Sequence, residues 1–398
     1  MSTTTDRNHS ILGGGNTVKE IAHQPRLWKE AYQYFHTHRE KIQQYLEKIY
    51  TAHARVRVIF TGAGTSAFVG DTLLPHVLKV IEPKDKVTVE SIATTNLVSN
   101  PLEYFFEDIP TVLISFGRSG NSPESVATID LASQLVKDIY HIIITCNPEG
   151  KLAKIDGERN LVLNMPEGSN DKGFAMTSSF TTMMLTAFLL FDKEIDKQEE
   201  RIEALVQAGE EVERKLTNHV QQIAQNSYNR LVYLGSGVFQ GLAREAALKS
   251  LELAAGKVAT FFDTSLGYRH GPKSIMNEET LTVVLLSSNP HTRKYDISIL
   301  EELYHETNRG KIIAVSHRED EEAAQYSDHL VNLNYDAPND VYLAFPMVMV
   351  AQKLALEKSL LLGIAPDNPS PSGQVNRVVK GVTIYPIENR LTSERGSN

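Results

Sequence analysis

Two short runs of glycine and serine are the residues of this 398-residue chain whose types and spacing best suit chemistry. Phe60-Thr-Gly-Ala-Gly-Thr-Ser-Ala67 sets small residues between a β-branched run and a helical stretch. At such a junction the first backbone N–H groups of the helix lack partners, and the helix dipole attracts negative charge. Gly117-Arg-Ser-Gly-Asn-Ser-Pro-Glu124 repeats the arrangement after another β-branched run. There Ser119 and Ser122 offer hydroxyls, Gly120 lets the backbone come close to a ligand, and Pro123 suits a first helical turn. The candidate anion ligands are therefore Gly64, Thr65 and Ser66 in the first run, and Arg118, Ser119, Gly120, Asn121 and Ser122 in the second. Loops at adjacent strand ends converge on one crevice, the place where open α/β sheets bind ligands.

The first run alone leaves the anion open. It fits a dinucleotide fingerprint, with Glu90 at the end of the next strand as ribose acid, and it equally fits a plain tight turn. It is not a Walker loop, because no Gly-Lys-Ser/Thr follows. A dinucleotide needs only one such loop, so the second favours a phosphate monoester.

The elements that must carry these loops are legible from periodicity. Residues 1–15 are polar and Gly-rich and read as a loose arm, and apolar residues at helical spacing then predict two helices over 16–53 with a break at Pro25. Strands are predicted at 56–61, 87–92, 111–116, 141–145 and 161–165, with helices at 66–81, 123–136 and 176–191 between and after them. That alternation is the signature of a parallel sheet covered by helices on both faces. A charged helix over 197–226 connects to a second round: strands at 231–235, 280–287, 311–316 and 329–335, helices at 239–255, 296–307 and 341–362. Gly62 and Gly235, Thr111 and Thr282, and Ile142 and Ile312 pair at a near-constant offset of about 170 positions, which points to duplication of one α/β unit. The second copy of the Ser/Gly loop reads Ser287-Ser-Asn-Pro290, without glycine, so the first half is expected to hold the anion and the second to supply groups that act on it.

Bulk properties narrow the partners. A formal net charge of -9 argues against general nucleic-acid binding. The single cysteine, Cys146, ends an apolar run; it permits no intrachain disulfide and reads as a core residue of a protein in a reducing compartment. Residues 1–10 lack the apolar centre of a secretory signal, and the apolar stretch 341–363 is broken by Gln352, Lys353, Glu357 and Lys358. The expectation is a cytoplasmic protein without a membrane span.

From residue 55 onward the chain resembles the SIS sugar-isomerase family. The resemblance rests on Gly62-Ala-Gly-Thr-Ser66, on Ser115-Phe-Gly-Arg-Ser-Gly-Asn-Ser-Pro-Glu-Ser125, on Ala246-Ala-Leu-Lys-Ser-Leu-Glu252 and on His270-Gly-Pro272. It implies an α/β fold of two tandem SIS domains, each a three-layer α/β/α sandwich, behind an N-terminal helical segment. The expected divisions are 1–54 for the arm and helices, 55–196 and 227–364 for the domains, 197–226 for the connecting helix and 365–398 for a tail that covers the site. In the isomerase half of glucosamine-6-phosphate synthase the matching pattern holds a sugar phosphate through serines at the places of Ser66, Ser119 and Ser122. The same resemblance assigns proton transfer to Glu252, ring opening to His270 reaching in from a second subunit, sugar contacts to Thr177 and Ser178, and a carbonyl-facing role to Lys380. The synthase pattern has a further phosphate serine where this chain has Gly117, which leaves part of the anchoring to backbone or to Arg118. The phrases Gly267-Tyr-Arg-His-Gly-Pro272 and Val375-Asn-Arg-Val-Val379 resemble the AgaS group of galactosamine-6-phosphate deaminase/isomerases.

Helical spacing puts Lys249 one turn before Glu252, where it can hold the carboxylate ionised or steady an enediol oxygen, and burial beside Leu251 and Leu253 is expected to raise the basicity of Glu252. The expected reaction opens the ring of a hexosamine 6-phosphate and moves the carbon-2 proton to carbon 1, giving a ketimine that water hydrolyses to ketose and ammonia. It calls for no metal or other cofactor, and the histidines lack metal-ligand spacing. The expected partners are the sugar phosphate and a second copy of the chain in a homodimer with a shared site, or a higher assembly. A plain aldose–ketose isomerase and a sugar-phosphate sensor without turnover remain beside this reading, and an NAD-dependent oxidoreductase further off.

Overall fold

A computed structural model of the chain describes residues 12–379 and 381–387. Two five-stranded sheets, wholly parallel, form its frame. The first holds β1 (Val56–Thr61), β2 (Val87–Ser91), β3 (Thr111–Gly117), β4 (Ile139–Thr145) and β5 (Asn160–Asn164) in the order β2-β1-β3-β4-β5. The second holds β6 (Arg230–Gly235), β7 (Ala259–Asp263), β8 (Thr280–Leu285), β9 (Lys311–Ser316) and β10 (His329–Asn332) in the order β10-β9-β8-β6-β7. Read from its other edge, the second order repeats the first strand for strand. β1, β3 and β4 are buried at every position, as strands covered on both faces must be.

The helices Thr65–Val80, Pro123–Leu135 and Ser178–Leu189 serve the first sheet, and Val238–Leu253, Pro290–Tyr304 and Asp340–Leu361 the second. One core cluster runs through both halves and takes in Trp28, Phe60, Phe188, Tyr342 and Phe345, while separate clusters fill the outer face of each sheet. The N-terminal helices Gly15–Ala22 and Gln24–Ala52 meet at His23, with Pro25 in the first turn of the second, as the sequence predicts. Cys146 lies free and buried. Among the described residues no helix is long and apolar enough to cross a membrane.

Two predicted elements differ from the structure, and one strand is found where none is predicted. The connecting helix is Gln198–Glu211 and Thr217–Ala224 joined by a π-helical turn, Val212–Leu216. The helix predicted to start at 296 starts at Pro290, because Asn289 accepts from the N–H groups of His291 and Thr292 and so caps it earlier. The edge strand β7 was not foreseen: its five residues are partly exposed and carry no clear alternation.

The two halves meet where Thr65–Val80 crosses Val238–Leu253. At Gly241 a Cβ would stand 2.4 Å from the backbone nitrogen of Thr72 and 2.6 Å from the carbonyl carbon of Asp71. Only glycine allows this approach. Arg244, one turn on, pairs with Asp71 at 2.8 Å and lies over the Phe68 ring at 4.4 Å, and Ser91 donates to Asp71 at 2.7 Å. On an unpacked helix Gly→Ala stabilises by about 1 kcal/mol. Here Gly241→Ala is expected to destabilise by about 1–3 kcal/mol through overpacking, a reversal of sign that denaturant titration will read.

Candidate active site

Both glycine loops sit at carboxyl ends of neighbouring strands, β1 and β3, at the point where the strand order reverses. Gly64 (φ 57°, ψ -129°) and Gly120 (φ 62°) hold backbone that a side chain would strain. Thr65 and Ser66 open the helix Thr65–Val80 and are buried. Ser119 Oγ accepts from the N–H of Asn121 at 3.2 Å, and Ser122 Oγ donates to Ser125 Oγ at 2.6 Å. Asn121 is exposed, its side-chain oxygen accepting from the N–H of Lys151. Together with Arg118 and the two glycine loops, Ser66, Ser119, Ser122, Ser125 and Met176 line a cavity of about 100 Å³, and Arg377, Val378 and Val379 add a wall from the C-terminal segment. A larger cleft of about 920 Å³, between residues 95–103 and 382–387, contains none of the sequence-predicted site residues.

Gly117 explains why no serine stands there. A Cβ would press Leu152 at 3.1 Å and the Gly120 Cα at 3.3 Å. The side chain that follows does reach the site: Arg118 is buried, donates to Phe174 O at 3.0 Å and donates to Arg377 O. Burial first, then the charge of Arg377, lowers the Arg118 guanidinium from its ordinary pKa, while Asp171 and Glu252 work the other way.

The second domain brings three ionisable groups to this place on one helix face. Lys249 is 1% exposed and stands 2.5 Å from Glu252 and 3.7 Å from Glu245. Burial pulls its pKa down, but Glu245 and Glu252 outweigh that and hold it above the ordinary value, so the ammonium is the stable form. Glu252 is a quarter exposed rather than buried, and its neighbour Leu251 points outward, so the expected enclosure between leucines is not found. The buried acid is Glu245, which is fully enclosed and is pushed up to about 8, chiefly by desolvation. Lys249 and the Thr65 hydroxyl pull it back only in part. The group is thus a Glu245 that holds its proton more tightly than a free carboxyl, a cationic Lys249, and Glu252 in ion-pair contact with it. Helical spacing alone puts Glu245 on the same face as Lys249 and Glu252, but it gives no sign that Glu245 is the enclosed acid of the group.

Thr177 and Ser178 are buried at the start of Ser178–Leu189, and both hydroxyls donate to Asp171, at 2.9 and 2.6 Å. Asp171 also accepts their backbone N–H groups and those of Ser179, a complete cap for that helix. His270 is exposed, after the turn Gly267–Arg269; among the described residues its ring has no hydrogen-bond partner. Lys380 lies outside the described residues.

With the geometry in view, the SIS domain family model matches the chain twice, over residues 51–192 and 225–362, and the chain belongs to the SIS family. It is 42% identical over 376 residues to the D-galactosamine-6-phosphate deaminase AgaS of Shewanella sp. (strain ANA-3), covering 93% of this chain and 92% of the relative. Among solved structures, a putative tagatose-6-phosphate ketose/aldose isomerase from Clostridium novyi NT superposes with a TM-score of 0.91 at 43% identity, over 96% of this chain and 98% of that one. The tagatose-6-phosphate ketose/aldose isomerase of Escherichia coli gives 0.84 at 39%, over 94% and 97%.

Because the Glu245 carboxyl is raised above its free value of 4.5, the folded state binds its proton more tightly than the unfolded chain. Its contribution to stability is present below pH 4.5 and is lost as pH rises to about 8. Glu245→Gln should therefore flatten the stability profile over that window, and thermal melts of both proteins at pH 5 and 8.5 will show whether the difference between them changes with pH.

Proposed function

We propose that this protein is a deaminating isomerase that converts galactosamine 6-phosphate and water to tagatose 6-phosphate and ammonia. The observation that carries the reading is the ion pair of Glu252 with a buried Lys249 on a helix docked against the anion loop. The names of the AgaS relative and of the two solved isomerases support the substrate class.

In this mechanism the phosphate enters the cavity between the glycine loops, held by the hydroxyls of Ser66, Ser119 and Ser122, the backbone of Gly64, Thr65, Gly120 and Asn121, and the charge of Arg118. His270 of the partner subunit moves a proton between ring oxygen and anomeric hydroxyl, which opens the ring. Glu252 removes the proton from carbon 2 and returns it to carbon 1, and Lys249 keeps it ionised for the first transfer. The carbon-2 amine becomes a ketimine, and water attacks that carbon to expel ammonia and leave the ketose. Lys380 faces the carbonyl in this scheme. Thr177 and Ser178, their hydroxyls held by Asp171, act through the helix start they form. The reading makes the protein a hydrolase, a homodimer with a shared site and a cytoplasmic enzyme of amino-sugar breakdown. Simple aldose–ketose isomerisation is the second reading, favoured by the descriptions of the two solved relatives and using the same Glu252.

Incubation of the purified protein with galactosamine 6-phosphate, with ammonia and ketose measured together, is expected to give both in equal amounts and faster than with glucosamine 6-phosphate. Ketose without ammonia would select the isomerase; no product from any amino sugar would remove deamination. Glu252→Gln should lower turnover by about 10²–10⁴-fold and leave calorimetric binding of the phosphate ester nearly unchanged. A variant that still turns over removes Glu252 from the mechanism.

A further inference from the structure

The wall that closes the phosphate cavity is a strap near the C-terminus, and polar bonds fasten it. Asp367 anchors one end. Its carboxylate accepts the N–H groups of Asn16 and Thr17, both at 2.9 Å, and the Thr17 hydroxyl at 2.7 Å, which caps the helix Gly15–Ala22. Arg377 fastens the other end. Its Nε donates to Asp171 O at 2.9 Å and Gly173 O at 3.2 Å, and its Nη2 donates to Asn170 Oδ1 at 3.1 Å and again to Asp171 O. The carbonyl of the same residue receives Arg118. Little apolar burial helps: Val375 is 56% exposed and Val379 50%. A segment held by a few directed bonds and little core opens at low cost.

The charges at this point are unusual. Arg118 and Arg377 repel each other, and the hydrogen bonds of the Arg118 guanidinium go to carbonyls, not to a carboxylate. Both residues line the cavity that also collects Ser66, Ser119 and Ser122. A dianion placed there meets the guanidinium groups of the buried Arg118 and the half-buried Arg377, where its attraction to each is stronger than in bulk water.

We propose that Arg377 is a positioning residue that couples phosphate occupancy to closure of the strap 367–379: the bound phosphate offsets the repulsion between Arg377 and Arg118 and so completes the lock. The inference rests on the reading that the first-domain cavity takes the phosphate. It makes the phosphate group a signal for loading as well as a handle, because a sugar without it leaves the strap loosely held.

Hydrogen–deuterium exchange on the full chain, with and without inorganic phosphate, tests this without turnover. Phosphate should slow exchange across 367–379 by about tenfold or more in the wild type, and Arg377→Gln should abolish that response. The same variant should raise KM for galactosamine 6-phosphate about ten- to a hundred-fold, the loss expected for charge-assisted hydrogen bonds, with kcat changed far less. Arg377→Lys, which keeps the charge without the fork, should recover part of the KM. If phosphate protects the loop 117–124 but not 367–379, the strap proposal fails and the site reading stands; if it protects neither, both fall. Protection of the strap in a protein that releases no ammonia would support the coupling and sink only the deaminase reading. The wild-type comparison alone decides the matter should Arg377→Gln fail to fold.

Discussion

Everything at the site depends on how closely two helices cross. The anion loop opens one of them, and Glu245, Lys249 and Glu252 lie on the other, so a shift of either would change the distance from phosphate to acid. Gly241 sets that distance by letting backbone meet backbone at Asp71 and Thr72, and the Arg244–Asp71 pair with Phe68 fixes the rotation. Rigid helices fix a reacting geometry better than loops do. The acid sits in a second domain, yet it is held as though the two sheets were one body, because a single core runs through both.

Charge is arranged against the bulk of the molecule. The chain is acidic, with a formal charge of -9, yet Arg118 and Arg377 line the small cavity and Lys249 lies near enough to Arg118 to feel its charge. The three cations have different tasks. Lys249 is compensated by Glu252 and stays buried and ionised, whereas Arg118 and Arg377 are bonded mainly to carbonyls and face each other. The raised Glu245 carboxyl fits this arrangement, because any negative charge it carries competes with Glu252 for the same cation.

Much of this was legible in the sequence, because the signals were local. Strand periodicity, the glycine loops and the helical spacing of Lys249 and Glu252 each depend on a few neighbouring residues, and the offset between halves predicted the repeated sheet. What was hidden depends on partners far along the chain. Nothing in residues 367–379 shows that Arg377 reaches back some two hundred positions to Asp171 and Gly173. Burial misled once: Leu251 and Leu253 suggested an enclosed Glu252, but helix geometry turned Leu251 to solvent and enclosed Glu245 instead.

The duplication also explains why the two halves do different work. In the second domain the loops corresponding to the anion cradle are already filled from within. Ser236 and Ser265 donate to Asp296, the Ser287 N–H donates to Asp296 as well, and the hydroxyls of Ser287 and Ser288 donate to Asp340. These are the hydroxyl and N–H groups that an external phosphate would need, and two carboxylates of the chain itself hold them. A built-in anion carries no entropy of association, so an outside one competes poorly for the same donors. The first copy keeps its hydroxyls around an open cavity, and the second is left free to contribute the helix that carries the acid. One duplicated fold thus yields one crevice with two kinds of wall.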